Sequence, residues 1–162
     1  MTRIVVTGAA GFIGSHVAEA LARRGDEVVG IDNFDPFYSR AVKERNLAEV
    51  GRLPGLAFRE LDLLDVDGLR SLLTPDTVLI HLAAKAGVRP SLADPVAYAR
   101  VNVTGTAALA EAARRAGVSR ILFGSSSSVY GDSTPAPFRE DAVAVEPVSP
   151  YARLLQMRDL LL

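Results

Sequence analysis

Ile4-Val5-Val6-Thr7-Gly8-Ala9-Ala10-Gly11-Phe12-Ile13-Gly14 decides the fold of this chain. The run from Ile4 to Thr7 reads as a strand buried on both faces, which needs near-continuous apolar residues. Glycines then recur at 8, 11 and 14. Gly8 permits a tight turn, Gly11 lets the backbone approach a pyrophosphate, and Gly14 lets the next helix pack closely on the sheet. That helix is predicted from Phe12 to Arg24, with Ile13, Val17 and Leu21 on one face. Its first turn offers unpaired N–H groups to phosphates. Glycine spacing alone is a weak signal, but Asp32 ends the next strand at the distance expected of a carboxylate that bonds adenosine ribose hydroxyls. A carboxylate there repels a 2′-phosphate, and Asn33 rather than Arg follows it, so the pattern favours NAD over NADP. Arg40, Lys43 and Arg45 read as a solvated helix face, or at most as contacts from a lid-like segment.

Outward from this stretch, strand and helix signals alternate, which argues an α/β domain with a parallel sheet. Strands are expected at Glu27 to Ile31, Leu56 to Glu60, Thr77 to His81 and Ser119 to Gly124. Helices are expected at Arg40 to Val50, at Val66 to Leu73, at Val96 to Ala116 as one long element, and at Tyr151 to Leu162. A loop rich in Pro and acidic residues fills Ser133 to Pro150. Right-handed crossovers give a Rossmann-type, doubly wound sheet of strand order 3-2-1-4-5, with the cofactor across the carboxyl ends of the strands. The whole 1–162 span reads as one such domain.

The bulk properties exclude several classes. Net charge is −1 with both signs interspersed, so nothing suggests a nucleic-acid surface or a polybasic membrane surface. The 162 residues include no cysteine, which excludes disulfides and thiol catalysis and fits a cytoplasmic protein. The N-terminal apolar run is short and ends in glycine, unlike a signal peptide, and no stretch is long and apolar enough to span a bilayer. His16 and His81 form no metal-ligand cluster, and no metal is expected. His81, at a strand end, reads as a satisfied core histidine in preference to a catalytic one.

The chemical end of the chain is ambiguous. Ser125 to Ser128 follow the last strand, where a hydroxyl can bond a substrate oxygen as hydride leaves its carbon; four serines equally make a hydrophilic turn. Tyr151 opens the last helix after Pro150, and a phenol there can act as base beside a cation that favours the phenolate. A lysine one helical turn on would share its face, but position 155 is Leu. Arg153 points off the Tyr151 face and Arg158 lies a turn too far. Asp62 and Leu63 end the third strand, where adenine would lie; a helix cap is the equal alternative. Asn102, a poor helix former, suggests a buried hydrogen-bond bridge.

Taken together, TRIVVTGAAGFIGSHVAEAL, VVGIDNFDPFYS, HLAAKAGVRPSLADPVAYARVNVTGT, FGSSSSVYG and the SPY at 149–151 resemble the extended short-chain dehydrogenase/reductase family. The likeness is to its NAD-dependent nucleotide-sugar epimerases, UDP-glucuronate and UDP-glucose 4-epimerases above all. It implies a bound NAD that transiently oxidises the sugar C4 hydroxyl and returns the hydride to the other face. By motif position, Gly8, Gly11, Phe12, Ile13 and Gly14 would hold the pyrophosphate, Asp32 and Asn33 the ribose, and Asp62 and Leu63 the adenine. Leu82, Ala83, Ala84, Lys85, Asn102 and Ser125 would line the cofactor. Ser126 and Tyr151 would be the catalytic hydroxyl and base, and Arg89, Ser91 and Ser127 would meet the UDP-sugar.

Two departures bear on activity. Leu155 stands where the family has its lysine, and family members run to roughly twice this length, the substrate-binding lobe being absent here. Loss of the lysine costs orders of magnitude in proton transfer, and loss of the lobe removes the binding energy that orients the sugar. NAD binding without efficient epimerisation is therefore expected. A non-catalytic NAD-binding or sensing module, or a related nucleotide-sugar dehydratase or reductase, stands as the alternative. The apolar terminal helix, 150–162, with Leu154, Leu155, Met157 and Leu160 to Leu162, implies burial. In the family it and the preceding long helix form a homodimer interface; packing on the protomer's own sheet is the other possibility.

Overall fold

The computed structural model describes residues 1–132, 134–142 and 147–159. The chain divides into two compact units, 1–84 with 108–124, and 85–107 with 125–162.

The first unit is built on a parallel sheet of β1 (Arg3–Thr7), β2 (Glu27–Asp32), β3 (Leu56–Glu60), β4 (Val78–His81) and β5 (Arg120–Phe123), in the order β3-β2-β1-β4-β5. The expected strand order is the observed one. Alternation along β1 sorts the core into two layers. Val5, paired with Val29 and Leu79, faces one side with Ile31 and Leu63. There α3 (Val66–Leu72) brings Leu69, and α6 (Thr106–Ala116) brings Leu109, Ala112 and Ala113. Ile4, Val6 and Val28 face the other side, against Ala18 and Ala22 of α1 (Phe12–Arg23) and Val50 of α2 (Arg40–Val50). β1 and β2 are buried almost throughout, as interior parallel strands must be. β3 and β5 stand at the sheet's two ends and are half exposed, Leu122 of β5 to 54%.

The second unit holds α4 (Val88–Ala93), α5 (Pro95–Ala99), a π-helical segment (Arg100–Gly105), a 3-10 turn (Ser127–Tyr130) and α7 (Pro150–Asp159). Asp94 caps α5 by accepting from Ala97 N at 3.0 Å, with Pro95 at the first helical position. α7 packs against α4, α5, the π segment and the 3-10 turn.

The single helix expected over Val96 to Ala116 is corrected by the structure. It is interrupted at Arg100–Gly105, where the backbone widens to a π-helix around the buried Asn102 and Gly105. α4 and the 3-10 turn were not anticipated in the sequence. Leu160 to Leu162, the apolar end expected in the terminal helix, lie outside the described residues, as do Ser133 and residues 143–146.

Candidate functional site

In the first unit, the carboxyl ends of β1, β2 and β4 present the loops that the sequence singled out. The Gly8–Gly11 loop turns through Gly8 at φ +73°, closed by Gly11 N donating to Gly8 O at 3.0 Å. A Cβ on Gly14 would stand 2.1 Å from Gly8 O, and one on Gly8 would stand 2.9 Å from Ala83 N. These are backbone contacts that no rotamer change relieves. Gly30 of β2 serves the same loop, because a Cβ there would meet the Ala9 methyl at 2.7 Å. α1 starts at Phe12 with no side-chain cap on Gly11, so its first amides are left to a ligand or solvent. Phe12 and Ile13 are exposed to 70% and 65%.

Asp32 ends β2 beside this loop, buried and with its carboxylate held on three sides. Oδ1 accepts from Lys43 Nζ at 2.9 Å and from Phe34 N at 2.8 Å, and Oδ2 accepts from Ala10 N at 3.3 Å. The solvated position expected for Lys43 is thus corrected: its side chain is 8% exposed, against 7% for Asp32. Asn46, one turn further along α2, donates to Ala10 O at 3.0 Å. One polar face of α2 therefore grips both the Asp32 carboxylate and the glycine loop. Arg40 remains exposed, lies 4.1 Å over the Phe34 ring, and pairs with Glu44 and Glu60. Its guanidinium holds the Glu60 carboxyl below the ordinary glutamate range.

Asn33 is exposed and donates from Nδ2 to Asp62 Oδ2 at 2.8 Å. Asp62 accepts at Oδ1 from Leu64 N at 2.9 Å, whereas the cap of α3 is Asp65, which accepts from Gly68 N. Leu63 is buried in the core layer beneath α6. The residues expected at the ribose and adenine thus meet through the Asn33–Asp62 bond.

The turn after β4 is organised by Thr7. Its Oγ1 accepts from Leu82 N at 3.1 Å and Ala83 N at 3.0 Å, and lies 2.6 Å from His81 Nδ1. A hydroxyl has one hydrogen and two lone pairs. With both lone pairs engaged, Thr7 donates its hydrogen to His81 Nδ1, so the ring hydrogen sits on Nε2. Thr7 and His81 are both fully buried, which accords with the core reading of His81. Ala83 is half-buried and Ala84 exposed.

In the second unit, Asn102 of the π segment clasps the Lys85 backbone, accepting from its N at 2.8 Å and donating to its O at 2.9 Å. Lys85 Nζ lies 6.0 Å from the centre of the buried Tyr98 ring, whose hydroxyl donates to Ala86 O. Arg89 is exposed on α4. Ser91 is fully buried, donates to Val88 O at 2.6 Å, and accepts from Tyr151 N at 3.2 Å. Ser126 is half-buried and caps the 3-10 turn by accepting from Ser128 N at 3.2 Å, while Ser125 and Ser127 are exposed. Gln156 of α7 donates to Val129 O at 2.9 Å, tying the helix of Tyr151 to the turn of Ser126. The Tyr151 ring stands edge-on to Tyr98 at 6.4 Å. Leu155, one turn after Tyr151, is 1% exposed, so an apolar side chain fills the position where the sequence sought a cation.

Among the described residues no group of three His, Asp or Glu side chains could hold a metal, and no helix is long and apolar enough to cross a membrane. The donor set suits a dinucleotide instead: a loop that Cβ atoms would fill, uncapped helix amides, and a fixed carboxylate. The fold and this loop define a Rossmann-type α/β domain. Residues 4–161 match the NAD dependent epimerase/dehydratase family, and the chain belongs to it. It is 42% identical to UDP-glucuronate 4-epimerase 2 of Arabidopsis thaliana over 92% of this chain and 35% of that protein. To UDP-glucuronate 4-epimerase of Thermodesulfobacterium geofontis it is 38% identical, over 97% of this chain and 49% of that one. The crystal structure of UDP-glucuronic acid 4-epimerase from Bacillus cereus in complex with UDP-glucuronic acid and NAD is similar at a TM-score of 0.90 and 36% identity, covering 99% of this chain and 51% of that one. The chain thus spans from about a third to about half of the length of these relatives.

Proposed function

We propose that this chain is the NAD-binding portion of a nucleotide-sugar 4-epimerase acting on UDP-glucuronate or UDP-glucose. The observation that carries the reading is the glycine cradle of β1 and α1, where a Cβ on Gly14 would lie 2.1 Å from backbone, set beside the fixed Asp32 carboxylate. Gly8, Gly11 and Gly14 and the amides of Phe12 and Ile13 take the pyrophosphate, and Asp32 with Asn33 takes the adenosine ribose. Asp62 and Leu63 serve the adenine, and Leu82, Ala83, Ala84, Lys85 and Ser125 the remainder of the cofactor, with Asn102 holding the Lys85 backbone. When bound, NAD supplies the acceptor for the C4 hydride. Ser126 bonds the sugar oxygen and Tyr151 takes its proton, while Arg89, Ser91 and Ser127 belong to the sugar side.

Leu155 supplies no charge to favour the Tyr151 phenolate, so this chain binds NAD and turns over UDP-sugars inefficiently. The buried Leu155 also favours a second reading, a non-catalytic NAD-binding module. Residues 1–162 form one such domain, cytoplasmic and homodimeric in this reading. An apolar groove of about 660 Å³ between α5 and α7, lined by Val96, Val148, Leu154 and Met157 among others, supports burial of that face. Isothermal titration with NAD, followed by an assay with UDP-glucuronate and UDP-glucose, tests the proposal. Binding without turnover is the expected result. Robust epimerisation overturns the inactivity, and no binding at millimolar NAD by folded protein overturns the cofactor assignment.

A further inference from the structure

The buried Lys43–Asp32 pair is the feature of the first unit that a plain NAD site leaves unexplained. A ribose diol needs only the carboxylate, and burying a lysine beside it carries a desolvation cost that the pair must recover. The ammonium here is compact and 8% exposed, and it sits 2.9 Å from Oδ1 of the carboxylate expected to meet the ribose. It also arrives from a different element than the carboxylate. Lys43 and Asn46 lie one turn apart on α2, and Asn46 anchors that helix to Ala10 O at 3.0 Å, so the cation has a fixed address beside the glycine loop.

We propose that Lys43 is a selectivity-determining and positioning residue of the adenosine-ribose site, acting through Asp32. Paired, it holds Oδ1 together with Phe34 N while Ala10 N holds Oδ2, so that Asp32 presents one geometry to a diol. It also screens the negative charge that a 2′-phosphate would meet. Released from Asp32, the same ammonium is a phosphate-binding cation in place. The site is thus an NAD site with a silent 2′-phosphate cation, and the carboxylate silences it. This inference rests on the dinucleotide reading above.

The test is isothermal titration of the full chain with NAD and with NADP, each variant first checked by circular dichroism. The variants are D32N, K43Q, K43R, D32N/K43Q and D32N/K43R. Wild type is expected to prefer NAD. D32N should shift the NADP-to-NAD affinity ratio toward NADP by about a hundredfold, from loss of repulsion and release of the cation together. D32N/K43Q should return about tenfold of that shift, and D32N/K43R should keep it. In the Asp32 background, K43Q should widen discrimination against NADP about fivefold while K43R leaves it unchanged. If Lys43 only pins α2, NAD and NADP affinities fall together and the ratio is the same in D32N and D32N/K43Q; that result overturns the inference while NAD binding by wild type leaves the cofactor reading standing. Should the Asp32 variants not fold, an unchanged ratio in K43Q overturns it equally. Failure of folded wild type to bind NAD overturns both.

Discussion

Replacing Thr7 by Val removes one oxygen atom from the centre of the first unit and keeps the side-chain volume, so no cavity opens. Three groups lose their partner: the amides of Leu82 and Ala83, and Nδ1 of the fully buried His81. An orphaned buried polar group costs about 1–3 kcal/mol. The half-buried amides recover part of that from water and count at the low end, whereas the His81 nitrogen counts in full. The sum is roughly 3–5 kcal/mol, or about 6–20 °C in Tm for a chain of this size. Thr7→Ser keeps the oxygen and loses one methyl, which costs about 1 kcal/mol. Thermal unfolding followed by circular dichroism measures both. The ring ¹⁵N shifts of His81 provide an independent check, because the wild-type pattern should show the hydrogen on Nε2 and Nδ1 as a hydrogen-bond acceptor. Thr7→Val within about 1 kcal/mol of wild type would refute the reasoning, as would Thr7→Ser falling as far as Thr7→Val.

Gly14→Ala forces a methyl within 2.1 Å of Gly8 O, and is expected to cost at least about 3 kcal/mol in urea unfolding. Gly25→Ala enters open space but at φ +94°, and should cost about 1–2 kcal/mol; equal losses in the two would show that the Gly14 contact is not the cause. Asn102→Ala removes both clasps on the Lys85 backbone, and amide hydrogen exchange should show the Lys85 N–H losing protection while the Val6 amide in the sheet keeps its own. Glu111 is drawn down to about 2, first by Arg114 and then by Arg115. Its folded value lies below the unfolded one, so its contribution to stability is complete above the unfolded range and is lost as pH falls through about 2. A carboxyl ¹³C titration should place its midpoint there, and Arg114→Ala should raise it; a midpoint in the ordinary glutamate range would refute the pairing.

The parallel sheet was legible because its strands must be apolar on both faces, and VVT, VVGI, VLI and ILF announce that without help from the rest of the chain. The glycine loop was legible for a related reason: backbone contact at Gly8 and Gly14 leaves no alternative residue, so the spacing is itself the geometry. Lys43 is hidden from the sequence because a charged residue on a weakly apolar helix reads as solvated. The inner face of α2 runs Lys43, Asn46, Leu47, Val50, and half of it is polar. The i, i+3 spacing of Lys43 and Asn46, with Asp32 just upstream as a buried anion in need of a partner, is the pattern that could have revealed it. The break at Arg100–Gly105 was likewise hidden, since a helix that widens keeps its apolar residues near their expected places; the hints were Asn102 and Gly105 in mid-helix. Ser91 shows a different limit: that its hydroxyl is fully buried and joins Val88 to the start of α7 is set by tertiary packing and carries no local signal.

β5 bears on the handling of the protein at high concentration. It stands at the end of the sheet with Leu122 54% exposed, and an end strand carries a row of backbone groups able to accept another chain. The net charge of −1 provides almost no long-range repulsion to keep two such edges apart. Self-association through this edge is therefore expected without unfolding. Moderate alkaline pH, which makes the net charge more negative, or Leu122→Glu, which adds a negative charge to the edge, should delay precipitation without moving the melting transition.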